Sequence, residues 1–515
     1  MSLAPKYVAS SQPDPKRFPR SSGVLLSVTS LPGPYGIGDL GAGAHHFVDR
    51  LVAARQHYWQ VLPLCPTGYA DSPYQGLSSF AGNTNLISLD ALAASGWLTA
   101  EELTDHAGFD DSSVDYGRVI DWHNSRLTLA YERFAAQTGT ADHVAFDAWV
   151  TANHGWLNDF ALFVALKEHY FGVPWTQWAP DEARRVPAAL TAAREALSER
   201  IAEHRFRQWL FFRQWTTLKD YANAQGVRII GDIPIFVGHD SCDVWVSRDL
   251  FDLNEDGSPR FIAGVPPDSF SATGQRWGNP LYLWDKHTAS GYAWWIARVD
   301  AALTLFDLVR IDHFRGFDLY WQIPGSDDTA QNGTWQPGPG AALFEALGTD
   351  RVARIIAEDL GDKLGAAIDL RDAFGLPGMI VLQFAFSGSK VERERFDPVN
   401  VTGNFIVYTG THDNNTTAGW WETTSEAERE AVASFTSDYE FQEPNWLLIQ
   451  LGMRYRAHTF IVPMQDVLGL GDDARMNTPS VTAGNWSWRC TPEQIDSPFW
   501  NRLRQLTEQQ QRTHG

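Results

Sequence analysis

The chain has 515 residues, 44% hydrophobic and 20% charged, ordinary proportions for a folded globular protein, which exclude disordered and collagen-like classes. Its length suits two to three domains or one large barrel carrying insertions. Lys plus Arg total 41 against 62 Asp plus Glu, and a net charge of −21 repels phosphate backbones and anionic lipid, so nucleic-acid and membrane-surface partners are not expected. In chain order, residues 1–22 read as a loose arm, polar and proline-rich, without the apolar core of a signal peptide. No apolar run reaches 18 residues, and the expected location is cytoplasmic. Eight segments rich in β-branched residues follow: Gly23–Val28, His57–Leu64, Val227–Val237, Leu308–Phe314, Val352–Leu360, Met379–Phe384, Phe405–Gly410 and Thr459–Met464. Continuous apolar pairs such as Ile229-Ile230 and Ile355-Ile356 suit strands buried on both faces, the mark of a parallel sheet. With helical patterns between them, eight such strands predict an α/β fold, a (β/α)8 barrel; an open doubly wound sheet is the alternative.

One interval is too long for a single crossover. From about Leu86 to Gly226 it reads as a helical insertion, opened by Thr99 and Glu102 as a capping box, with Leu98 and Leu103 as a hydrophobic staple. Trp156, Phe160, Phe163 and Leu166, then Phe206, Trp209 and Leu210, recur at helical spacing, and Gly226 closes the last helix as a C′ residue. The 22 Trp are read as mainly core, although flat aromatic faces also stack on sugar rings. A second insertion, about 238–300, sits on the loop after the third strand. Residues 23–515 thus form one catalytic barrel with no separate C-terminal β-sandwich.

The active face of such a barrel lies at the C-terminal ends of its strands. There the sequence places Asp232, then Arg310, Asp312, His313 and Arg315, then Glu358-Asp359, then His412-Asp413. Buried carboxylates are costly unless paired, so acids on several strand ends need a reason. A structural ion-pair network with Arg310 and Arg315 is one. Glycosidic bond chemistry is the better one: a carboxylate attacks the anomeric carbon while a second carboxyl protonates the leaving oxygen. Cys65, Cys242 and Cys490 form neither a disulfide framework nor a Cys-x-x-Cys pair, and no His-Glu-x-x-His pattern or calcium loop is present; no metal is expected.

The segments Arg310–Gly316 (RIDHFRG), Ile356–Gly361 (IAEDLG), Thr409–Asn414 (TGTHDN) and Gly231–Val237 (GDIPIFV) resemble the active-site blocks of the 4-α-glucanotransferases of glycoside hydrolase family 77, the amylomaltases or disproportionating enzymes. The resemblance extends to Ser30–Gly41, Gln60–Asn83, Gly264–Tyr282 and Arg475–Arg489. It implies Asp312 as nucleophile, Glu358 as general acid/base and Asp413 as transition-state stabiliser. It implies Arg310 as the cation that keeps Asp312 ionised, and Asp232, His313 and His412 as ligands of the glucose at the cleavage point. Ser72, Tyr74, Gln275, Trp277, Asn279 and Asn477 become sugar-contacting positions, and Tyr69 a contact for a longer glucan. It implies no cofactor and no metal. Two positions depart from the family pattern: Ser269 where tyrosine is common, and Asn415 where an acid is frequent.

The expected activity is transfer of α-1,4-glucan segments between maltodextrins, amylose or starch by retaining double displacement, with cyclic glucans when a chain attacks itself. An α-amylase-type hydrolase and a non-catalytic glycan-binding protein are the alternatives, and a monomer is favoured. Retention requires the Asp312 and Glu358 carboxyls to lie roughly 5–5.5 Å apart. The stretch Gly264–Tyr282, with Phe270 and Trp277, is expected to be a lid over the barrel mouth.

Overall fold

The structure, a computed structural model, describes residues 6–7, 18–105, 108–267, 271–361, 364–388 and 390–513, with only the backbone at Tyr69 and Thr402. Eight parallel strands, β1 (Ser21–Leu25), β2 (Tyr58–Gln60), β3 (Arg228–Ile233), β4 (Leu308–Ile311), β5 (Ile355–Ala357), β6 (Gly378–Val381), β7 (Thr402–Tyr408) and β8 (Arg456–Pro463), lie in the order β6-β7-β8-β1-β2-β3-β4-β5. All eight fall within or beside the segments read from the sequence. The ring is nearly closed. Between β5 and β6 no ladder forms, and one backbone bond, Ala357 N–H to the Pro377 carbonyl at 3.0 Å, bridges the seam. Asp359 completes it, accepting the Met379 N–H at 2.8 Å and pairing with Arg371 and Arg395.

Strand parity sorts the core into two layers. Leu25, Tyr58, Ile230, Leu308, Ile356, Met379, Ile406, Tyr408 and Ile461 form one buried cluster, which we read as the barrel interior. Their neighbours Val24, Trp59, Ile229, Val309, Ile355, Ile380, Val407 and Phe460 join the larger cluster under the surrounding helices. Stepping two residues from Ile230, Leu308 and Ile356 reaches Asp232, Arg310 and Glu358, so the same alternation that fills the barrel aims these groups at its mouth.

Three boundaries differ from the sequence reading. The arm ends before residue 22: Phe18 is 2% exposed and β1 already begins at Ser21, because the strand pairs from Ser21 with Thr459. The Thr99–Glu102 capping box forms, with Glu102 accepting the Thr99 N–H at 2.8 Å, but it opens only the short turn Glu101–Leu103. The long helices of the interval come later, at Tyr116–Ala136, His154–His169 and Ser198–Ala224, the last closed by Gly226 at φ +82°. Finally, strands occupy both ends of the stretch read as a loop. Phe261–Val265 and Gln275–Pro280 form a hairpin, extended by Leu319–Pro324 and Thr334–Pro337 into a four-stranded antiparallel sheet. Gly274 at φ +70° makes the hairpin possible, since a Cβ there would sit 2.4 Å from the Val265 carbonyl oxygen. Of the insertion aromatics, Phe160, Phe163, Phe206 and Trp209 are buried, which bears out the core reading for them.

Candidate active site

Arg310 is the hub. From β4 its guanidinium spans two acids, donating to Asp232 Oδ2 at 2.6 Å and to Asp312 Oδ1 at 2.8 Å, while its Nε faces the Met379 sulfur at 3.3 Å. Asp312 stands one residue beyond β4, where its N–H bonds the Ile233 carbonyl at 3.0 Å. Glu358, one residue beyond β5, is fixed by two backbone donors: His313 N–H to Oε2 at 2.7 Å and Leu360 N–H to Oε1 at 2.8 Å. His313 takes a left-handed conformation (φ +51°), a strained turn of the kind held only where the surroundings over-determine it.

The two carboxyls have different surroundings. Burial, reinforced by the negative Asp312, pushes Glu358 up to about 7, against the pull of Arg310 and the two N–H donors. Asp312 instead has the guanidinium beside it and its side chain partly open to the mouth. Burial lowers the His313 imidazole to about 4, leaving it neutral near neutral pH.

The opposite wall comes from β3 and the loop after β7. Tyr74 donates to Asp232 Oδ2 at 2.8 Å, lies 3.2 Å from His412 Nδ1, and stacks on that ring at 4.7 Å. Trp486 backs both rings. Asp232 is 1% exposed, and its Oδ1 has no hydrogen-bond partner among the described residues. Burial raises its carboxyl and Arg310 opposes that shift. Asp413 lies 3.3 Å from His412 Nε2 and accepts Asn477 Nδ2 at 2.6 Å. Its side chain is 48% exposed to the mouth. Burial of the surrounding pocket would raise this carboxyl, but His412 and Asn477 outweigh that and hold it well below the usual carboxylate range. His412 is raised in turn, Asp413 overcoming the effect of burial.

The remaining expected positions divide. Trp277 sets its ring edge-to-face with His313 at 4.9 Å. Gln275 accepts the Trp277 indole N–H at 3.1 Å, and Ser72 accepts the Tyr74 N–H at 3.2 Å, so both brace an aromatic neighbour. Asn279 is buried, donates to the Val237 carbonyl at 2.9 Å and accepts from Gln75 at 3.2 Å, so it ties two loops together. The Tyr69 side chain, Ser269 and Phe270 lie outside the described residues. Asn415 turns its carbonyl to Gln383 at 2.8 Å. Gln75 and Arg475, which touches the Asp413 carbonyl at 3.3 Å, were missed by sequence reasoning, although both fall inside the motif segments. Among the described residues no group of three His, Cys, Asp or Glu side chains is arranged to hold a metal ion.

A family model described as 4-alpha-glucanotransferase, glycoside hydrolase family 77, matches residues 26–494. The 4-alpha-glucanotransferase of Thermus thermophilus is 47% identical, covering 96% of this chain and 99% of its own. That of Synechocystis is 46% identical over 95% of this chain and 97% of its own. The amylomaltase from Streptococcus agalactiae, solved in complex with acarbose, superposes with a TM-score of 0.91 at 38% identity, covering 96% of this chain and 100% of that one. Barrel, acid-lined mouth and relatives together define a glycosyltransferase built on a (β/α)8 barrel. The chain belongs to glycoside hydrolase family 77, the 4-alpha-glucanotransferases, and it transfers glucan segments between chains.

Proposed function

We propose that transfer runs by retaining double displacement on α-1,4-glucans, maltodextrins, amylose and starch among them. Asp312 attacks the anomeric carbon as the glycosidic C–O bond breaks, and Glu358 gives its proton to the departing 4-oxygen. The non-reducing part remains as an ester on Asp312. An acceptor 4-hydroxyl then loses its proton to Glu358 and displaces Asp312, restoring both groups. When the acceptor is the far end of the same glucan, the product is cyclic.

The observation that carries this reading is the different setting of the two carboxyls: Arg310 bonded to Asp312, and a buried Glu358 raised to about 7. A general acid must hold its proton near neutral pH, which the raised Glu358 does, while Arg310 supplies a cation beside the attacking carboxylate. Forming the ester also removes the Asp312 charge that helps hold the Glu358 proton, which turns the acid into the base the second step needs. Asp413, kept ionised by His412 and Asn477, is assigned to the positive charge that develops on the sugar ring. Asp232, with one oxygen unbonded among the described residues, His412 and His313 hold hydroxyls of that glucose, with Tyr74 beneath it. The hairpin bearing Trp277 shields the ester from water. The protein requires no metal or cofactor, acts as a monomer, and resides in the cytoplasm; among the described residues no helix is long and apolar enough to cross a membrane.

Incubation with maltotriose tests the reading. Transfer yields glucose and longer maltodextrins with total reducing ends nearly flat, because each bond broken is matched by one made. Reducing ends that climb in step with glucose identify a hydrolase, and an unchanged chromatogram a binding protein. Trp277→Ala is expected to raise reducing ends gained per bond broken; an unaltered ratio removes the lid from the mechanism.

A further inference from the structure

Beyond β8 lies a carboxylate that the reaction as described leaves unused. Asp466 is 1% exposed, and among the described residues it forms no ion pair. A buried anion without a counter-charge is expensive and persists only where donors surround it. Here they come from the two ends of one loop. Thr409 Oγ1 donates to Asp466 Oδ2 at 2.5 Å, Thr417 Oγ1 to the same oxygen at 2.7 Å, and the Thr417 N–H to Oδ1 at 2.6 Å. Both threonines are fully buried. Between them the chain runs out to the barrel mouth and back, carrying His412 and Asp413. The acid therefore cinches the base of the loop that presents them, with its own carbonyl pinned by Asn445 at 2.8 Å. The residue before it does the same for the other side of the cradle: Gln465 donates to the Ala474 carbonyl at 3.3 Å, at the start of the segment from which Asn477 reaches Asp413.

We infer that Asp466 is a positioning residue of glucan transfer, fixing Asp413 and His412 through the loop it closes between Thr409 and Thr417. The inference rests on the role proposed above for Asp413. Three converging donors, one of them a backbone N–H that can only donate, suit an acceptor with no hydrogens of its own, which a carboxylate is and an amide is not. Because Asp413 is assigned to charge that exists only in the transition state, slackening the loop costs turnover and spares ground-state binding.

Thr417→Val deletes one hydroxyl at nearly constant volume and leaves the backbone donor in place; Thr417→Ser restores the hydroxyl. With maltotriose, Thr417→Val and Asp466→Asn are expected to lower kcat by about ten- to a hundredfold per folded molecule, with KM within about twofold of wild type, and Thr417→Ser to recover most of the loss. Should Asp466→Asn fail to fold, Thr409→Val and Thr417→Val carry the test. Equal losses in the Ser and Val variants, or a raised KM with kcat intact, overturn the inference. Asp413→Asn, run alongside, separates the two levels. Wild-type turnover in that variant overturns the reading of Asp413 and the inference with it. An inactive Asp413→Asn beside wild-type kcat in Thr417→Val and Asp466→Asn overturns the inference alone.

Discussion

Asp312 and Glu358 are electrostatically linked, and that link makes a measurable claim at the scale of single residues. Glu358 sits near 7 because burial disfavours its charge and Asp312 adds to the cost. Replacing Asp312 with Asn deletes the negative neighbour, keeps Arg310, and is expected to bring the Glu358 carboxyl below its wild-type value, read by carbon NMR of that carboxyl against pH. No downward shift would mean that Asp312 is not what holds the Glu358 proton. The same variant is expected to lose several orders of magnitude in turnover while remaining folded, since it lacks a nucleophile. In the wild type, kcat/KM is expected to fall as pH rises through about 7, where the general acid of the first step loses its proton. The positions of Asp232, Arg310, Asp312, Glu358 and Asp413 were legible in sequence because acids at strand ends violate the apolar run that precedes them. The bond from Asn279 to the Val237 carbonyl was not. An amide in a motif looks the same with or without it.

At the scale of elements, the weakest joint of the barrel lies between β5 and β6, where side chains replace a ladder. Asp359 bonds the Met379 N–H across that seam and neutralises Arg371 and Arg395. Asp359→Ala leaves Arg395 and a backbone donor without that side-chain acceptor and Arg371 with Asp372 alone, a loss of about 3–5 kcal/mol by the usual cost of breaking a buried pair. Urea unfolding measures it; a midpoint equal to wild type would mean that the seam holds without this side chain. Elements differed in how plainly the sequence announced them. Barrel strands buried on both faces read as unbroken apolar runs, so all eight were visible. The hairpin over the mouth was not: Gln275-Arg276-Trp277-Gly278-Asn279-Pro280 lacks the alternation of a half-buried strand, and its glycines, including Gly278 at φ +82°, read as bends. Its strand character comes from pairing with Phe261–Val265, partners that local pattern does not reveal.

For the molecule as a whole, the balance of shifted carboxyls sets how stability responds to pH. Burial raises Asp39 to about 7, Asp243 to about 6 and Glu358 to about 7. Groups raised above their unfolded values, roughly 4, bind protons more tightly in the folded state. Their contribution is fully present below about pH 4 and is lost as pH climbs through the folded values between about 6 and 7. Carboxyls shifted the other way act in a different window. Glu102 is lowered to about 2 by Arg133 and the Thr99 N–H, and Glu168 to about 2 because His204 and Arg200 outweigh its burial. What they contribute is intact above about pH 4.5 and lost only below it. Between pH 5.5 and 7.5 the raised carboxyls change together with His123, His287 and His313, which burial lowers to about 4. These pull the other way, because unfolded imidazoles, roughly 6.5, take up protons there that the folded ones do not. The net charge of −21 adds self-repulsion at the upper end. The carboxyl part is therefore read by difference: calorimetry is expected to show that Tm at pH 5.5 minus Tm at pH 7.5 is larger by a few degrees in the wild type than in the double variant Asp39→Asn, Asp243→Asn. Salt separates the two causes, since it screens the surface charge and leaves the buried carboxyls untouched. That gap between wild type and double variant is expected to survive at high ionic strength. An equal pH response in the wild type and the double variant would show that Asp39 and Asp243 are ionised in the native protein without penalty.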